Sequence, residues 1–113
     1  MDQTLAATRD VVIDRLALDP EALEALCRAN GVRRLAIFGS AVWPDFDAER
    51  SDLDVLVTIE AATHAAYADQ YFNLEAGLEQ LAGRPVDLLT DTSIENPYRR
   101  RRIVAEKVTL YAA

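Results

Sequence analysis

Between residues 63 and 82, Tyr67, Tyr71, Leu74, Leu78 and Leu81 return every three or four positions. That spacing lays one apolar stripe along a helix, with Gly83 suited to end it and the stripe expected to be core. Two further helices precede it. Residues 3 to 17 carry Leu5, Val12 and Leu16 on one side, and "DPEALEALCRANG" has Asp19 as a cap, Pro20 in the first turn and Gly31 as a terminator. "RLAIFG" and "LDVLVTI" are short, β-rich apolar runs that predict buried strands, and "PVDLLT" predicts a third. Asn96-Pro97 caps and opens a last helix, which runs through the arginines to about Lys107. The order ααβ(α)βαβα predicts an α/β (α+β) domain, a small mixed β-sheet with flanking helices, over residues 1–113.

One strand breaks the apolar rule at its start. Alternate residues of a strand share a face, so Leu53, Val55, Val57 and Ile59 point one way and Asp52, Asp54, Leu56 and Thr58 the other. The two carboxylates then stand side by side, roughly 7 Å apart at their α-carbons. Such a pair near a core repels itself unless a cation lies between, and a hard, oxygen-seeking ion such as Mg²⁺ satisfies it. An isolated D-x-D more often sits in water beyond the sheet edge. Gly39-Ser40 changes that weighting. A glycine and a hydroxyl directly after a buried strand allow a tight turn, close backbone approach to a phosphate and a side-chain donor. Eleven residues separate Ser40 from Asp52, so a phosphate cradle at the end of one strand would face a metal-binding pair at the start of the next.

Composition narrows the partners. The chain has 113 residues, half of them apolar and 27% charged, ordinary for a folded globular domain. Its net charge of -7 repels polyanions, so direct nucleic-acid binding over a broad face is not expected. One Cys and one His cannot build a disulfide or a structural zinc site, and Cys27 reads as a small reduced core residue. The opening "MDQTLAATRD" has no basic stretch leading into an apolar one, and no run reaches membrane-spanning length. A cytoplasmic protein without membrane contact is expected.

"FGS", ten residues, "SDLDVLV", then "RPVDLLT" and "NPYRRRRIVAEKVTLY" together resemble the minimal nucleotidyltransferases of the DNA polymerase beta superfamily, over about Val32 to Tyr111. The resemblance implies a nucleotidyltransferase fold and a division of labour. Asp52 and Asp54 would bind metal ions, two Mg²⁺, together with ATP as nucleotide donor. Asp87 matches the third carboxylate, which binds the acceptor-side metal and orients or deprotonates the acceptor hydroxyl, while Gly39 and Ser40 hold the β and γ phosphates. Two features depart from the pattern. Between Gly-Ser and D-x-D the smallest relatives commonly have ten residues where this chain has eleven, which asks the loop to bulge. Many relatives also carry an arginine near the position of Trp43, which leaves Arg50 as the nearest substitute in sequence.

Competing motifs fail. Asp45, Asp47 and Glu49 suggest a calcium loop, but Arg50 replaces its glycine and Leu56 its terminal glutamate. No Walker A lysine or dinucleotide glycine fingerprint is present. His64 stands alone near a helix start and reads as surface. Arg99 to Arg102 turn about 100° each on a helix and cannot form one row, so they read as a solvated or partner-facing surface with one arginine reaching the nucleotide. The chain has no room for an acceptor domain, which favours an acceptor brought by a partner. The resemblance extends to the antitoxins of two-component modules with a HEPN ribonuclease toxin, in which the nucleotidyltransferase adenylylates a tyrosine hydroxyl of the toxin within a hetero-oligomer. The alternatives are an antitoxin that neutralises by binding alone and nucleotidyl transfer to a small molecule.

Overall fold

The computed structural model describes residues 8–43, 46 and 52–113. Helices α1 (Arg9–Arg15) and α2 (Pro20–Ala29) lead into strand β1 (Val32–Phe38), a 3-10 turn (Gly39–Val42) and strand β2 (Leu53–Ile59). Helix α3 (His64–Ala82) carries the chain to β3 (Val86–Thr90), and after a second 3-10 turn α4 (Pro97–Glu106) ends at β4 (Val108–Ala112). The expected punctuation is in place. Asp19 accepts from the Glu21 and Ala22 amides to cap α2, Asn96 does the same for α4, and Gly83 ends α3 at φ +67°. The first helix starts at Arg9, capped by Thr8, and Leu5 lies outside the described residues.

The sheet runs β3-β2-β1-β4. β1 is antiparallel to both of its neighbours and β2 is parallel to β3, with α3 as the crossover. The end of β1 therefore lies at the same sheet edge as the starts of β2 and β3. The element order read from the sequence lacks β4. "VTLYA" follows α4 with only Lys107 between and carries no turn residue to announce a strand. It is held by non-local pairing, Ile37 with Val108 and Arg34 with Ala112.

Pleating sends Leu35, Ile37, Leu53, Val55, Val57, Val86 and Leu88 to one face, where they join Leu23 and Cys27 of α2 and Leu74 and Leu78 of α3. Each fully buried aliphatic side chain there contributes about 1.5–3 kcal/mol of transfer free energy. Burial also pushes the Cys27 thiol up to about 12, so it is an inert core residue as expected. The opposite face carries a smaller cluster of Phe38, Leu56 and Leu89 under Ile103 of α4 and Ile94. Tyr67 and Tyr71 are only half-buried, and Phe72 beside them is exposed. The stripe expected as core is thus fully buried at Leu74 and Leu78, with Tyr71 and Leu81 partly buried against the same cluster.

β3 is an edge strand. The Pro85 carbonyl accepts from Leu53 across the β2 ladder, so by alternation Val86 and Leu88 turn their backbone groups outward. Side chains meet them there. The Val86 amide donates to Glu79, the Tyr71 hydroxyl donates to the Leu88 carbonyl, and the Thr90 amide donates to Ser93.

Candidate active site

Leu53 and Val55 are 1% and 0% exposed on the core face. Their burial fixes the register and turns Asp54 between them to the α4 side of the sheet. Asp87 is its partner in the parallel β2–β3 ladder, so the two α-carbons stand about 4.8 Å apart. Asp52 lies one residue before β2 and is exposed, as is Asp87, whereas Asp54 is half-buried. The carboxyl of Asp54 is held above its ordinary value of 3.8, first by desolvation and then by the charges of Asp87 and Asp52, with Arg99 opposing them. All three acids predicted from the sequence thus share one sheet edge and feel one another's charge.

Gly39 closes the floor beneath them. Phe38, at the end of β1, pairs with Asp54, and the chain then turns at Gly39 with φ +73°. A β-carbon on that residue would lie 2.3 Å from Oδ2 of Asp54, so glycine is required both for the backbone sign and for the carboxylate's place. Ser40 is exposed on the one-turn 3-10 helix that Gly39 begins. Arg15 of α1 fastens this turn by donating to the carbonyls of Ala41 and Trp43 at 2.7 and 3.0 Å. Arg50 lies outside the described residues, as does the acidic stretch of Asp45, Asp47 and Glu49. The cations that the fold brings to Gly39 come from elsewhere. Arg99 and Arg102 of α4 line a cavity of about 200 Å³ with Phe38, Gly39, Ile103 and Glu106. No residue count around a helix could select these two of the four arginines before Ile103, at 5% exposure, had fixed which face of α4 is inward.

The residues 20–110 match the family model for the nucleotidyltransferase domain. This chain belongs to that family. The nucleotidyltransferase is 35% identical over 72 residues to the putative protein adenylyltransferase MJ1379 of Methanocaldococcus jannaschii, a match that covers 64% of this chain and 70% of the relative. A solved structure described as a putative minimal nucleotidyltransferase aligns over 90% of this chain and 95% of its own, with TM-score 0.64 and 28% identity. A toxin–antitoxin complex crystallised with AMP-PNP shares the fold at TM-score 0.56 and 19% identity, over 85% of this chain and 75% of that one. The mixed α+β architecture and the nucleotidyltransferase activity implied by the sequence motifs are those of this family.

The donor set of the nucleotidyltransferase fits a hard divalent cation. It is all carboxylate, its members repel, and one of them is partly desolvated without a neutral hydrogen-bond donor to offset it. The acids share an edge without converging, for among the described residues no three Asp, Glu, His or Cys side chains stand close enough to enclose an ion. A stability consequence follows from the raised Asp54 carboxyl. A folded-state value above the unfolded one favours folding below the unfolded value, and that advantage is lost as pH rises through the window between the two, so at neutral pH ionised Asp54 opposes folding. Asp54→Asn in chelator at pH 7 is therefore expected to melt a few degrees higher than wild type, by a shift on the order of that seen for small stabilising changes. The same variant should gain less from Mg²⁺ with ATP, which scanning calorimetry would record. A variant that melts lower in chelator would mean that the Asp54 carboxylate stabilises the edge instead.

Proposed function

We propose that this chain transfers AMP from ATP, with Mg²⁺, to a tyrosine hydroxyl of a partner HEPN ribonuclease, and so acts as the antitoxin of a two-component module in a hetero-oligomer. The observation that carries the reading is Asp54 in parallel register with Asp87, directly above the Gly39-Ser40 turn. Attack on an α-phosphate needs the acceptor hydroxyl deprotonated and the triphosphate held in line. Asp52, Asp54 and Asp87 would hold two Mg²⁺, which supply charge neutralisation to the triphosphate and lower the barrier to pyrophosphate departure. Gly39 and Ser40 would grip the β and γ phosphates through backbone amides and the hydroxyl, with the turn braced by Arg15. Asp87, exposed on β3, is open to an incoming acceptor and would take its proton. The similarity to a putative protein adenylyltransferase and the shared fold of a toxin–antitoxin complex crystallised with AMP-PNP support both a protein acceptor and an adenine nucleotide.

The surface supports the same partner. A net charge of -7 suits association with a basic, RNA-cleaving protein through complementary potentials. Among the described residues no helix is long and apolar enough to cross a membrane. Co-expression with a helical HEPN ribonuclease, to be sought in the adjacent reading frame, should yield a complex that survives moderate salt. After incubation with ATP and Mg²⁺, intact-mass measurement should find AMP-sized additions on the partner, mapped to tyrosine by fragmentation. A partner that is inhibited yet unmodified would replace transfer by occlusion, and AMP found only on small molecules would remove the protein acceptor.

A further inference from the structure

Helix α4 presents four successive arginines on a protein that is acidic overall. At about 100° per residue, Arg99 and Arg102 return to within roughly 60° of each other, while Arg100 and Arg101 turn away. Ile103 is buried beside the first pair, and Arg101 lies over the exposed ring of Tyr98 at 6.0 Å on the outer side. Only the inner pair shares a cavity with Gly39. We infer that Arg99 and Arg102 form a two-pronged clamp for the terminal phosphates of the nucleoside triphosphate, closing over the Gly39-Ser40 turn from the α4 side.

Four features carry this. The cavity of about 200 Å³ is smaller than the roughly 300–1,000 Å³ of a whole small-molecule site, so it is sized for part of a ligand. Its floor is Gly39, whose missing side chain lets the Asp54 carboxylate sit against the backbone, so the cavity and the acids meet at one residue. Guanidinium groups are planar forks that match phosphate oxygens in pairs, and two on one wall can take two phosphates. Finally, the pair is not locked elsewhere. Arg102 makes a 3.7 Å contact with Glu106 while 79% of its side chain stays exposed, and Arg99 offsets the charge of Asp54 from across the gap. Three carboxylates make this edge hostile to a polyanion, and the clamp supplies the fixed positive charge that Trp43 does not.

The clamp rests on the proposed use of a nucleoside triphosphate, and its test reads binding without the partner. Isothermal titration with Mg²⁺ present would compare ATP, AMP and inorganic tripolyphosphate on wild type, Arg99→Gln, Arg102→Gln and the outward control Arg100→Gln. Each inner variant should lose affinity for ATP and tripolyphosphate on the order of tenfold, with a shallower dependence on salt. AMP affinity and the Arg100→Gln values should stay within about twofold of wild type. Arg99→Lys, which keeps the charge and loses the fork, should fall between. Inner variants that bind tripolyphosphate like wild type would overturn the clamp, as would a wild type that binds no triphosphate. If the variants lose ATP while wild type binds it but modifies no partner, the clamp stands and the proposed acceptor falls. If they modify a partner with unchanged ATP affinity, the reverse holds.

Discussion

Asp87→Asn should lower AMP transfer by a factor on the order of 10² or more while leaving Mg²⁺-dependent ATP binding largely intact. The asymmetry comes from the sheet. Asp54 lies over Gly39 and beside the phosphate turn, whereas Asp87 sits one strand further out on β3, exposed to an acceptor. Asparagine keeps the size and the hydrogen-bonding reach but cannot draw a proton. Nucleotide affinity and transfer to the partner need to be measured on one preparation, with circular dichroism to confirm folding. Transfer at the wild-type rate would remove Asp87 from the chemistry and leave the third-carboxylate role to another residue. An ATP affinity that collapses as it does in Asp52→Asn would instead make Asp87 a nucleotide-side ligand.

Gly39→Ala is expected to damage both stability and binding, through two separable causes. A residue other than glycine at φ +73° costs about 1–3 kcal/mol, which in a domain of this size lowers the melting temperature by roughly 4–8 °C per kcal/mol. The added methyl also meets Oδ2 of Asp54 at 2.3 Å. Asp54 can move, since its carboxylate is the free end of a side chain, but in moving it leaves the edge where the metal is proposed to bind. ATP affinity with Mg²⁺ should therefore fall tenfold or more, beyond what a merely less stable protein would show. A variant with lowered melting temperature and wild-type affinity would confine the role of Gly39 to the backbone turn. One that matches wild type in both would refute the close approach itself.

The D-x-D acids could be read from the sequence because each interrupts an apolar strand, and a strand's two-residue period states which face an interruption occupies. Asp52 and Asp54 stand out on that ground, whereas Asp87 is marked by the family resemblance. The register of Asp54 against Asp87 depends on how β2 and β3 pair, which follows from the buried neighbours Val55 and Leu88 only once the α3 crossover makes the strands parallel. The cations were less legible. Arg15 and the inner pair of α4 act across 26 or more positions of chain, and a ring of arginines looks alike from every side until one hydrophobic residue chooses the inward face. β4 was hidden for a related reason, since five residues with no turn before them have only their partner strand to define them. Tyr71 keeps helical spacing with the core and packs against it only in part, because its hydroxyl reaches the Leu88 carbonyl at the edge of β3.

The side chains that cap β3 have a consequence for how this chain can meet others. A bare edge strand invites a stranger's backbone to extend the sheet, which serves some recognition domains and starts aggregation in others. Here Glu79, Tyr71 and Ser93 already occupy outward groups of Val86, Leu88 and Thr90. Three of the outward groups that an incoming strand would use are thus already taken by intramolecular partners. Growth of the sheet past β3 is therefore disfavoured. Whatever brings a hydroxyl to Asp87 has to descend onto the strand ends with its own fold intact, presenting a side chain from a loop, a tail or a helix and not lending a strand.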